Sequence, residues 1–177
     1  MDALAPFRIP AAALKADEAS YEWKLGTDFL ALFDEEHEGI RGQFLVNMEL
    51  FRDGTMTTLD FIIKGDVPTT CDRCTAAINL PIDADYQLIV KYGNPADSTD
   101  EIVLVDPDAP DLNVGKHIYD FILLSVPISH RLQDCEQMDP SPCDNSILHY
   151  LNQLPEMDTP NGDDSSPWDE LKKVTDN

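Results

Sequence analysis

The chain has 177 residues, with 12 Lys and Arg against 34 Asp and Glu, and a net charge of −22. That length suits one domain of ordinary size with a tail. The charge excludes a broad basic face of the kind that neutralises nucleic-acid phosphates, and it suits a basic protein partner or a role in solubility alone.

Tyr21, Trp23 and Leu25 alternate with Glu22 and Lys24, the pattern of a half-buried strand. After Gly26, Thr27 or Asp28 is expected to cap a short helix to about residue 36, offering Phe29, Leu30, Leu32 and Phe33 for burial. Residues 41–65 form a hairpin pattern, two β-type runs around Arg52-Asp53-Gly54-Thr55, with Gly54 at the position that tolerates positive φ. A further long run over 76–92 has Pro81 in it, which points to an edge or a bulge. Residues 102–105 read as a short apolar strand. From Val114 the period becomes helical: Ile118, Phe121, Ile122 and Ser125 share a face, Asp111 or Asn113 is placed to cap, and Pro127 stops the helix. Residues 147–154 carry a further turn or two of helix. The expected fold is α+β, an antiparallel meander with a covering helix and a Cys-x-x-Cys knuckle.

The domain is expected over 1–154, an acidic flexible linker over 155–165, and a short C-terminal helix in 166–177. Ser166, Pro167 and the early acids and late lysines give that tail a helical start and finish, with Trp168 and Leu171 on its apolar side. It either docks back on the domain or binds a partner. No window is apolar enough to span a membrane, and residues 1–10 lack a signal peptide's apolar core. The cytoplasm is therefore the expected compartment, where thiols stay reduced.

Cys71 and Cys74 have the spacing of half a structural zinc site, and Cys135 and Cys143 are the only other cysteines. The second pair is wider than common knuckles, so His130, His149 or nearby acids are alternative ligands. Zinc bound across both pairs and unmetallated thiols both remain open. A thioredoxin-like redox role requires a helix after the motif, and here a strand pattern follows. No nucleophile elbow, Walker A loop, dinucleotide fingerprint or His-Glu-x-x-His is present, and the four histidines fall at no ligand spacing. Asp97, Asp100, Glu101, Asp106, Asp108 and Asp111 surround the 102–105 strand with no Lys or Arg among them, forming either a solvated rim or a patch for a basic partner.

The run Cys71-Asp72-Arg73-Cys74 before an amphipathic strand, the acidic short strand, Phe121-Ile122-Leu123-Leu124-Ser125-Val126-Pro127, and Pro167-Trp168-Asp169-Glu170-Leu171-Lys172-Lys173 together resemble the YceD family over about residues 40–174, in its Bacteroidetes form. The resemblance implies a non-enzymatic cytoplasmic factor needed for normal levels of large-subunit ribosomal RNA, with a link to large-subunit ribosomal proteins. It carries the family's cysteine pairs onto Cys71, Cys74, Cys135 and Cys143. This chain departs from the tighter, Gly-containing second cluster of many members. Combined with the charge, the expectation is a factor that binds a basic large-subunit ribosomal protein or pre-ribosomal particle, with ribosomal RNA reached indirectly. Direct RNA binding through a local patch at Arg52 and Arg73 is the alternative, and a metal-dependent enzyme is a third.

Overall fold

The computed structural model describes residues 2–33, 40–99, 102–133 and 135–153. Its frame is a five-stranded sheet of β2 (Glu18–Leu25), β3 (Gln43–Asp53), β4 (Met56–Thr70), β5 (Ala77–Tyr92) and β6 (Ile102–Val105), in that order across the sheet. The first four strands form the antiparallel meander. Gly54 takes φ +60° in the β3–β4 turn, the conformation that favours glycine. β6 instead runs parallel to β5, from Ile89↔Ile102 to Tyr92↔Val105. A parallel neighbour ordinarily needs a long crossover. Here the overlap is so short that the chain travels back only about 10 Å along β5 before pairing again.

Alternation sorts the side chains. One face of the sheet places Val46, Met48, Leu50, Leu59, Phe61 and Ile63 at 0% exposure. This inner face is covered by helix α3 (Gly115–Ser125), whose Ile118 and Ile122 are fully buried. Phe121 of α3 meets Phe61 edge-on at 5.3 Å and stacks on Tyr86 at 4.6 Å. Val114 occupies the cap position of this helix with no side-chain cap bond, so neither Asn113 nor Asp111 caps it; Asn113, one residue earlier, accepts the Gly115 N–H at 2.9 Å on its side-chain oxygen while its amide donates to the Leu4 carbonyl. The N-terminal segment packs beside α3. A two-stranded sheet joins β1 (Arg8–Pro10) to β7 (Asp111–Asn113), and helix α1 (Ala11–Leu14) follows β1. Trp23 donates to the Pro6 carbonyl at 3.0 Å.

The helix expected over 27–36 is helix α2, which spans only Thr27–Leu30, and residues 34–39 lie outside the described residues. Gly26, with no side-chain cap bond, occupies the cap position, so neither Thr27 nor Asp28 caps it. Phe29 and Leu30 are buried, Phe33 half-buried and Leu32 exposed. Helix α4 (Asn145–Gln153) realises the expected last helix. The linker 155–165 and the tail with Trp168 and Leu171 also lie outside the described residues.

β4 and β5 continue past the end of β3, whose Gln43 pairs with Asp66. From there the pair runs on to Thr70↔Ala77 as a ribbon carrying the cysteine motif at its tip. Pro68 lies in this extension, and Pro81 lies where β5 has β4 on one side only, the edge position its sequence indicated. The outer sheet face is uncovered among the described residues. Its cross-strand rows read Lys24–Leu45–Lys64–Asp83, Glu22–Asn47–Ile62–Asp85 and Ser20–Glu49–Asp60–Gln87.

Candidate functional site

The Cys-x-x-Cys segment closes the β4–β5 ribbon as a tight knuckle. The Cys71 N–H donates to the Ala76 carbonyl at 2.8 Å and the Thr75 N–H to the Cys71 carbonyl at 2.9 Å. Thr75 is held at φ +58°, a left-handed conformation unfavourable for a β-branched residue. Cys71 and Cys74 are buried, at 3% and 1% exposure. Residues after α3 return to the knuckle and clasp it. The Asp72 N–H donates to the His130 carbonyl at 3.0 Å, and the Asp72 carboxylate accepts the His130 N–H at 2.7 Å. Arg73 forms an ion pair with Glu136.

This return brings the two cysteine pairs together. The Cys135 and Cys143 sulfurs lie 3.2 Å apart, and Cys74 hydrogen-bonds both Cys71 and Cys143. All four are free thiols. They contact in a chain, Cys71–Cys74–Cys143–Cys135, and no three His, Cys, Asp or Glu side chains among the described residues stand in a preformed metal arrangement. A tetrahedral zinc–thiolate site has sulfur–sulfur edges of about 3.8 Å, so for Cys135 and Cys143 both to hold zinc their 3.2 Å separation would have to widen. The imidazoles are engaged elsewhere: His130 pairs with the Thr69 hydroxyl and His149 with Gln153.

The electrostatics suit a cation at this cluster. Backbone N–H groups of Ala76 and Asp144 bond the Cys74 sulfur and, with the neighbouring thiols, draw its pKa below the ordinary thiol range against the opposing effect of burial. The Cys143 thiol is pushed up. Its bond with Ser141 pulls the other way but is outweighed by Cys135 beside it, by desolvation and by Cys74. Adjacent thiols resist ionising together unless a positive charge sits among them. Four thiols, two of them buried and one bonded by backbone N–H groups, are a donor set of the kind that would hold a structural zinc ion.

An apolar cluster seals the thiols. Cys71, Cys74, Ile78 and Leu148 are buried together, with Leu132, Cys143 and Ile147 against them. Asp144 caps α4, accepting the Ser146 hydroxyl and the N–H groups of Ser146 and Ile147. These bonds hold its carboxyl below the usual range.

The acids around β6 do not act alike. Asp97, Asp106 and Asp108 are exposed, and no ion pair among the described residues involves them. Asp106 accepts the Asp108 N–H at 2.9 Å. Asp111, in β7, is half-buried and paired with Arg8 at 3.1 Å, so it contributes to the β1–β7 contact. Asp100 and Glu101 lie outside the described residues.

Arg52 and Arg73 do not form one patch. Arg52 pairs with Thr57 at the start of β4 and Arg73 follows its end at Thr70. Strand rise separates them by on the order of 40 Å. Arg52 instead donates to the carbonyls of Lys15 (2.8 Å) and Gly54 (3.2 Å). It lines a shallow depression with Thr55, Thr57, Lys91 and Tyr92, and Lys15 lies 5.8 Å above the Tyr92 ring. These three cations are distant in sequence, so no local pattern announces them.

The fold and site define a small α+β protein, an open-faced sheet ending in a Cys-x-x-Cys knuckle with Cys143 and Cys135 brought against it. The family model described as large ribosomal RNA subunit accumulation protein YceD matches residues 59–175, from near the start of β4 through both cysteine pairs. The chain belongs to the YceD family, whose description gives it a role in accumulation of large-subunit ribosomal RNA. No curated protein and no solved structure matches the chain. No helix among the described residues is long and apolar enough to cross a membrane.

Proposed function

We propose that this chain is a non-enzymatic ribosome-biogenesis factor that binds a basic large-subunit ribosomal protein through its acidic surface and so supports accumulation of large-subunit ribosomal RNA. The observation that carries this reading is the net charge of −22. Exposed, unneutralised acids such as Asp97, Asp106 and Asp108 give that charge a surface to act through. Such a surface repels RNA phosphates and attracts the lysine- and arginine-rich segments that ribosomal proteins need for RNA. Held by this factor, a basic protein is kept from aggregation until its RNA site is available. In the same reading Cys71, Cys74, Cys135 and Cys143 hold a zinc ion, which when bound supplies a structural cross-link from the ribbon tip to α4. The working compartment is the cytoplasm.

The test is a pull-down with the tagged full-length chain from its native cell, with bound protein and RNA measured separately. The expected result is a basic large-subunit protein that stays bound after nuclease treatment and is released at moderate salt. Ribosomal RNA recovered without any protein intermediary overturns the reading. Direct RNA contact is the second reading, favoured by the Lys15, Arg52 and Lys91 cluster around Tyr92, which offers cations and a stacking ring in one depression. It predicts that Arg52→Ala with Lys91→Ala lowers RNA recovery from protein-free RNA.

A further inference from the structure

We propose that the basic partner sits on the open outer face of the five-stranded sheet, as a lysine- and arginine-rich segment that places an apolar side chain between its charges. This rests on the basic-protein reading above and adds the place and the chemistry of contact.

Three observations converge on that face. It is uncovered: in β3 to β5 most inward positions are buried while the alternating outward ones are exposed or half-buried. It is acidic at its centre. Glu49 of β3 lies directly opposite Asp60 of β4, with Glu22 and Asp85 in the adjoining row. Lys64 is occupied by Asp83 at 3.3 Å, which leaves Lys24 as the cation of these rows outside an ion pair among the described residues. It also carries apolar anchors: Ile62, between Asn47 and Asp85, is 42% exposed, and Phe51 is 41% exposed.

The Glu49–Asp60 pairing is the most informative detail. Like charges directly across a strand pair destabilise a sheet. The Gln87 amide bonds Asp60 at 2.8 Å and offsets part of this, but it brings no charge. An ammonium or guanidinium seated between the two carboxylates relieves the repulsion. Ile62 lies two residues along the strand from Asp60, on the same face, and gives the segment an apolar contact that excludes water beside the charges.

Charge also decides among occupants. Residues 154–177 carry seven acids and two lysines, so the tail is repelled by this face. A second copy presents the same carboxylates, and nucleic acid presents phosphates. A cationic protein segment is the complementary partner.

The test compares variants of equal charge change on the full-length chain. The sheet variant is Glu49→Lys, Asp60→Lys, Asp85→Lys. The loop variant is Asp17→Lys, Asp28→Lys, Asp139→Lys, exposed acids that lie in none of those cross-strand rows and outside the acidic run around β6. The probe is the RNA-free protein fraction extracted from purified large ribosomal subunits, with each retained protein identified by mass and its affinity measured. The sheet variant is expected to bind at least about tenfold more weakly than the unaltered chain, and the loop variant within about threefold of it. Ile62→Ser, which changes no charge, is expected to weaken the same proteins. Should the sheet variant melt early, Ile62→Ser with Asp85→Lys decides by the same criterion. Binding lost in the loop variant and kept in the sheet variant overturns this inference while leaving the basic-protein reading intact. Failure of the unaltered chain to retain any basic protein overturns both.

Discussion

Substituting Cys74 by Ser tests how the thiol cluster holds α4. That helix has one buried residue, Leu148, which packs with Cys71, Cys74 and Ile78. Burying a leucine is worth about 1.5–3 kcal/mol, so without metal α4 is attached by a contact of that order. Zinc at a hundred times its dissociation constant adds about 2.7 kcal/mol to any state that binds it. If Cys143 ligates from just before α4 and Cys74 from the ribbon tip, that increment falls on the opening of α4. Native-state hydrogen exchange reads it directly. With zinc, the amides around Leu148 are expected to exchange about a hundredfold more slowly than with chelator. Amides of β3 and β4 that open only by global unfolding also slow if zinc is lost in that unfolding, so the decisive comparison is α4 with and without Cys74. Cys74→Ser removes the zinc response at α4. Equal α4 exchange with zinc and with chelator, in protein that metal analysis shows to have taken up zinc, refutes the cross-link.

Four further outcomes follow from individual contacts. Ile122→Ala empties a fully buried site between α3 and the sheet and is expected to cost about 2–5 kcal/mol in urea unfolding. Gly65→Ala is expected to be severely destabilising in the same assay, since its new Cβ would lie 2.2 Å from the Gln43 carbonyl oxygen, a backbone atom with nowhere to move; unchanged stability contradicts the observed approach of β3 to β4. Asp60→Asn removes one member of the like-charged cross-strand pair and is expected to raise the urea midpoint by about 0.2–1 kcal/mol equivalent. Desolvation holds the His117 imidazole below its ordinary range, with Asp120 opposing and Lys116 reinforcing. The unfolded chain therefore takes the proton more readily, so this part of the stability is complete above about pH 6.5 and declines as pH falls toward the lowered folded value. His117→Gln should flatten that decline in melting series between pH 7 and 5.

Much of the sheet was legible because its signals are local. The Arg52-Asp53-Gly54-Thr55 turn fixed the β3–β4 hairpin, and alternation at Leu59, Phe61 and Ile63 picked the inner face. The α3 stripe is equally local, although Val114, and neither Asn113 nor Asp111, occupies its cap position. What escaped the sequence depends on distant partners. Asp111 reads as a rim acid until β7 is seen beside β1 and Arg8. β6 carries no mark of its parallel pairing. The meeting of Cys135 and Cys143 with Cys71 and Cys74 depends on the clasp between Asp72 and His130, residues with no motif to link them. Arg52 and Arg73 looked like partners only because the sequence does not display β4 as a rigid strand holding them apart. The outward acids Glu49, Asp60 and Asp85 were visible as the polar half of each alternation, but their adjacency required the register.

The unpaired flank of β5 bears on how this chain survives among unfolded polypeptides. A bare strand edge is a template for joining extended segments with open backbone groups into aggregates. Along this flank Pro81 has no N–H to donate and Asp83 and Asp85 add charge beside it, while on β4 past the end of β3 Pro68 likewise has no N–H to donate. Strand addition is thereby disfavoured on the longest accessible border of the sheet. Indiscriminate backbone pairing is disfavoured there, and any contact made along this border is left to side chains.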